Sequence, residues 1–151
     1  MSREELVETF AGFPDRLAIA ARTAAHRAVA AGEWGPAEVV RHLIAVEDEV
    51  WQSRLARLAA EDHPHWPWIE PGLAPGFDGV PLDLILAAFA GARAETAATV
   101  RVLDDQGWAR AGTHDTYGVL DVAALLRIAI DHDVDHLASL ASHDDRVQIR
   151  P

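Results

Sequence analysis

The chain has no cysteine. That absence removes disulfides, thiolate ligation of a metal, and any thiol nucleophile of the protein's own. Basic residues are scarce beside acidic ones: 13 Lys and Arg against 24 Asp and Glu give a formal charge of -11. A field of that sign repels phosphate backbones and anionic lipid, so neither nucleic acid nor membrane is an expected partner. No uninterrupted apolar run approaches the ~20 residues of a membrane span. The opening MSREELVETF is charged, not a basic stub followed by a greasy stretch. A cytoplasmic protein is therefore expected. The 151 residues suffice for one domain, spanning 1–151, that buries a core without metal or disulfide staples.

Long β-branched runs are also missing, and turn residues fall in a few clusters rather than at the short even spacing of an all-β domain. Alanine, leucine and arginine dominate instead, which predicts an all-α fold. Ser2 with Glu5 forms a capping box for an opening helix, which Gly12 and Pro14 are expected to break or kink before DRLAIAARTAAHRAVAA resumes. Pro36 suits a first helical position, with Trp34 able to pack back on the first turn, and this second helix runs to about Ala60. EDHPHWPWIEPGLAPGFDGVP follows, with Pro64, Pro67, Pro71, Pro75 and Pro81, and cannot be helical throughout. A third helix covers Leu82 to about Gln106. The Gly-rich connection GWARAGTHDTYG leads to a fourth, from Asp121 as N-cap to Ser142.

Four helices make a bundle, and the long Pro-rich linker between the second and third constrains its direction. Extended chain covers ~3.3 Å per residue against 1.5 Å in a helix, so ~20 linker residues reach back along a whole helix. The second and third helices then run parallel, giving up-down-down-up, with the second and fourth antiparallel.

At 100° per residue, Val122, Leu125, Ala129, His132, His136 and Leu140 share one stripe of the fourth helix, and His42 shares an inward face with Val39, Val46, Glu49 and Ser53 on the second. Three histidines thus face the interior. His42 lies ~9 Å from the start of its helix, and His132 and His136 ~16 and ~22 Å from the start of theirs. If the helices are antiparallel and the fourth is ~34 Å long, His42 comes level with His136. Three neutral imidazoles with an open position suit Zn²⁺, Ni²⁺ or Fe²⁺. An HxxxH pair alone is more often a pair of core histidines satisfied by carbonyls or by Asp133 and Asp135; His42 at matching height favours the metal.

Glu49, two turns from His42 on the same face, is a candidate catalytic base or ligand-orienting group, with an exposed or ion-paired carboxylate as the plainer alternative. Asp133 and Asp135 are read as a solvated face before outer-sphere acceptors. His114 is read as a surface or loop-packing residue, and His26, His63, His65 and His143 as solvated. The tryptophans of HPHWPWIEP cover the bundle's flank or form a lid.

WGPAEVVRHLIAVED and YGVLDVAALLRIAIDHDVDHLASL together resemble the DinB-like (YfiT-like) family, with its Trp-x-Pro-x-Glu-x-x-x-His-Leu opening of one helix and its glycine-led entry to a later His-x-x-x-His-Leu. The order and separation of the two motifs carry the resemblance. It implies a four-helix bundle with a divalent metal on His42, His132 and His136. It also implies activation of a low-molecular-weight thiol, as in bacillithiol or mycothiol S-transferases and thiol-dependent maleylpyruvate isomerase. Gly35 departs from the usual Ser or Thr cap, and the linker is long. An enzyme without cysteine fits a borrowed thiol, since a bound metal holds a coordinated thiol deprotonated.

The expected function is a metal-dependent transferase acting on a small molecule, with a low-molecular-weight thiol as partner. The alternatives are metal-assisted hydrolysis, which needs no thiol, and a non-catalytic metal-binding or structural bundle. A homodimer through an exposed Ala/Leu face is also compatible.

Overall fold

The computed structural model describes residues 1–141. The predicted helix end at Ser142, and His143, lie outside them. α1 (Arg3–Ala24) opens on the expected capping box: Ser2 Oγ accepts from Glu5 N–H at 3.1 Å, and Ser2 N–H donates to Glu5 Oε2 at 2.6 Å. The helix continues through Gly12 and Pro14 without the break that the sequence predicts as one outcome there. Proline has no N–H to give the carbonyl four residues back, which is that of Phe10. Arg93 Nη1 takes that place, donating to Phe10 O at 2.8 Å. A side chain from another helix thus restores the bond that Pro14 removes. α1 also stops at Ala24, short of the AHRAVAA stretch predicted to continue it.

The second predicted helix has the expected ends but three parts: α2 (Pro36–Val46), a π-helical turn (Glu47–Gln52) and α3 (Ser53–Ala60). Pro36 starts it, and Glu38 Oε1 accepts from Gly35 N–H at 2.8 Å. α4 (Leu82–Arg101) ends five residues early. A short α5 (Asp105–Ala109) follows, capped by Asp104 Oδ1 on Gly107 N–H at 2.8 Å. α6 (Val122–Ala141) is capped as predicted, Asp121 Oδ1 accepting from Ala124 N–H at 2.9 Å.

Two apolar clusters fill the bundle. One joins Phe10, Leu55, Val100 and Leu125, the other Leu17, Val40, Ile85 and Leu140, each with their neighbours. α1 and α6 pass from the first cluster to the second, whereas the α2–α3 rod and α4 pass from the second to the first. That is up-down-down-up, as the linker length requires. Ion pairs at both ends of α1 and α4, Glu8 with Arg101 at 3.2 Å and Arg22 with Asp83 at 2.9 Å, fix their antiparallel register.

The connections hold a small sheet where the sequence predicts only linker and loop. β1 (His65–Trp66) pairs parallel with β2 (Ala111–His114), which pairs antiparallel with β3 (Gly118–Asp121). Gly118, at φ 78, closes the β2–β3 turn. Gly112 is required by crowding: a Cβ there would lie 2.6 Å from both Pro64 O and the Trp66 ring. The sheet fastens the start of the linker to the bundle. Its later part lies along α2, where Ala74 N–H donates to Arg41 O at 3.1 Å. No helix among the described residues is long and apolar enough to cross a membrane.

Candidate metal centre

α2 and α6 run past each other in opposite directions, so His42 meets both members of the HxxxH pair. Its ring lies 5.0 Å from that of His136 and 6.0 Å from that of His132, centroid to centroid, and the latter two are 4.5 Å apart. One nitrogen from each falls within 4.8 Å of the others. His42 and His136 are buried and His132 half-buried.

Hydrogen bonding fixes the chemistry of His42. Its Nδ1 lies 3.1 Å from Gly72 O, and a carbonyl can only accept, so Nδ1 carries the proton. The lone pair is then on Nε2, which is buried without a partner among the described residues. The linker carbonyl thus orients the ring as outer-sphere acceptors orient metal-binding histidines. His132 and His136 approach through Nε2 atoms 3.2 Å apart, leaving both Nδ1 atoms buried and unpartnered.

All three rings are neutral at physiological pH. Burial lowers the His42 pKa, with the Gly72 and Pro71 carbonyls and the Glu49 charge opposing. Burial takes His132 to about 4, helped by the charges of His42 and Arg93, and takes His136 to about 3, helped by His132 and His42. Neutral imidazoles are the ligating form.

These residues fit a divalent ion. Nitrogens at ~2.05 Å around a tetrahedral ion stand on the order of 3.4 Å apart, close to the 3.2 Å of the His132–His136 pair and within a small ring rotation of the 4.8 Å limit. An apolar core leaves no reason to collect three lone-pair donors with unsatisfied nitrogens.

Glu49 and Ser53 are not on the inward face predicted for them; both are exposed. The π turn is the cause. Each i→i+5 turn takes one residue more than an α turn, which carries the inward positions on from Glu49 and Ser53 to Val50 and Arg54, while Glu47, one α turn after Leu43, is buried before the shift takes effect. Glu49 stands at the rim, where its charge is felt at His42.

Asp133 is likewise not on a solvated face. It is 3% exposed and takes two bonds from Arg93, at 2.8 and 3.0 Å, while Arg93 Nε donates to Glu47 at 2.8 Å. Arg93, Glu47 and Asp133 form a polar layer between the two apolar clusters, and Arg93 also lies 3.9 Å over the Phe10 ring. The layer locks α6 against α4 one residue from His132. Its signal was in the sequence, since Arg93 lies on the stripe of Phe89, Thr96 and Val100. Burial raises Asp133 to about 6 despite its guanidinium partner.

Asp135 is exposed, as are His26, His63 and His65. His114, the last residue of β2, is buried in the sheet and not at the surface, its Nδ1 accepting from Thr116 N–H at 2.9 Å and Tyr117 N–H at 3.2 Å. Trp34 stacks 5.1 Å from His42, and Trp51 stands edge-on 6.1 Å from His132. Trp66 is buried in the flank and Trp68 is exposed.

Fold and site together define an up-down-down-up helical bundle built around three convergent neutral histidines. The chain belongs to the DinB superfamily, whose model matches residues 1–140. YfiT from Bacillus subtilis, described as a probable metal-dependent hydrolase with an unusual four-helix bundle topology, has a similar fold. The TM-score is 0.72 at 20% identity, over 93% of this chain and 86% of that one. No curated protein matches the sequence significantly.

Proposed function

We propose that the protein is a metal-dependent enzyme in which His42, His132 and His136 hold a divalent ion, Zn²⁺, Ni²⁺ or Fe²⁺, and that it transfers a low-molecular-weight thiol to a small-molecule substrate. The observation that carries the metal is the unpartnered, buried His42 Nε2, aimed at two further lone-pair donors and held by the Gly72 carbonyl. A divalent ion at such a centre lowers the pKa of a coordinated thiol or water toward neutrality.

The chain's own residues do the rest. Gly72 O holds the His42 tautomer, and the Arg93–Asp133 pair holds the rotation of α6. The Trp34 and Trp51 rings form aromatic walls beside His42 and His132. Glu49, exposed at the rim, is assigned as the base that receives the nucleophile's proton. Approach is past His132, the half-buried member, because His42 is covered by the linker. A chain without cysteine must borrow its thiol, which supports transfer over an internal nucleophile.

Hydrolysis is the second reading, supported by the description of YfiT and needing only water as nucleophile. The test is metal content and a thiol-conjugation screen on the wild type and on His136→Ala. Bound stoichiometric metal, and turnover lost both on chelation and in the variant, support the centre. Thiol-dependent turnover selects transfer, and turnover without thiol selects hydrolysis. Turnover indifferent to metal removal sinks both.

A further inference from the structure

Two arginines are buried among the described residues, and they differ completely in company. Arg93 spends its donors on Glu47, Asp133 and the Phe10 carbonyl. Arg54, 6% exposed, makes no hydrogen bond and no ion pair among the described residues. Its guanidinium lies between two indoles, 5.9 Å from the Trp51 ring centre and 5.8 Å from that of Trp66. None of its nitrogens is sealed from solvent, although the residue as a whole is buried. Tyr117, 47% exposed, and the buried His114 both feel its charge.

The indole faces and solvent offset part of the cost of enclosing this cation, but no anionic partner among the described residues gives it a reason to be there. Its place gives one. Trp51 neighbours both groups: its ring centre lies 5.9 Å from the Arg54 guanidinium and 6.1 Å from the His132 ring, so a single indole links the guanidinium to the histidine centre. The neighbouring cations are occupied: Arg57 pairs with Glu61 at 2.7 Å, and Arg110 bonds the Leu58 and Glu61 carbonyls. One planar fork free of partners among the described residues, with Arg57 and Arg110 already engaged, in a chain of charge -11, matches a monoanion with two coplanar oxygens better than a phosphate dianion.

We propose that Arg54 is the substrate-anchoring residue of this site, and that the substrate is a small carboxylic acid whose carboxylate docks on the guanidinium while its reactive end reaches the histidines. The proposal rests on the metal-centre reading for the second half of that statement only. Carboxylate capture by Arg54 needs no metal.

The test titrates the full-length protein with benzoate, its neutral isostere benzamide, and inorganic phosphate, following tryptophan emission. Benzoate should bind saturably, and benzamide and phosphate at least about tenfold more weakly. Arg54→Met keeps the stem between the indoles and should weaken benzoate by a similar factor without lowering the melting temperature, whereas Arg54→Lys should retain part of the binding. His136→Ala should lose metal but keep benzoate, which separates a failure of the metal reading from a failure of this one. Benzamide binding as well as benzoate, phosphate binding better, or undiminished benzoate affinity in folded Arg54→Met would overturn the proposal. If Arg54→Met does not fold, the benzoate–benzamide comparison on the wild-type chain decides.

Discussion

Replacing Arg93 with methionine tests the logic of the polar layer most directly. Arg93 is 1% exposed, Glu47 0% and Asp133 3%, so the substitution strands two carboxylates that water cannot reach. Removing one partner of such a buried network costs about 3–5 kcal/mol. The Phe10 carbonyl, already denied its helical donor by Pro14, is orphaned as well, adding about 1 kcal/mol or more. Protonation of the stranded carboxyls limits the total, and we expect a loss of about 4 kcal/mol near neutral pH. For a chain of this size that is a fall in melting temperature of about 8–16 °C. Urea unfolding followed by far-UV circular dichroism gives the free energy directly. The difference from wild type should shrink on acidification to about pH 5, because protonated carboxyls are cheaper to strand. Pro14→Ala supplies an N–H to Phe10, so it should stabilise Arg93→Met by about 1 kcal/mol more than it stabilises the wild type. A loss below about 1 kcal/mol, or one that does not change with pH, would refute the argument.

Two further outcomes follow from the same structure. His42, His132 and His136 have pKa values held low by burial, so below pH ~6.5 the unfolded chain binds more protons than the folded one. Metal-free protein should therefore lose stability as pH falls, by up to about 1.4 kcal/mol per pH unit for each histidine. Asp133, raised to about 6, opposes this by roughly one proton between about pH 4 and 6, leaving a net loss; a urea midpoint that rises on acidification contradicts it. Gly112→Ala drives a methyl into the Pro64 carbonyl and the Trp66 ring, and should cost about 1–3 kcal/mol. An unchanged urea midpoint in that variant would show that β1 is free to move away.

Features set by residues close in sequence were legible without the structure. Ser2 and Glu5, Pro36, and Asp121 each act within one helical turn, and each did what its local chemistry requires. The helical repeat placed His132 and His136 on one face, and the reach of an extended linker set the antiparallel pairing that brings His42 to them. What failed depended on partners far away in the chain. Pro14 leaves α1 unbroken because Arg93 satisfies Phe10, and Asp133 is buried because the same guanidinium reaches it. Glu49 turns outward because a π turn moves the inward position on to Val50, and Glu47 is buried because Arg93 meets it from 46 residues away. His114 is enclosed by a sheet whose strands come from two separate connections. Caps and periodicity are short-range and written in the sequence, whereas the stability of a buried charge depends on which distant group arrives to meet it, and only the folded chain decides that.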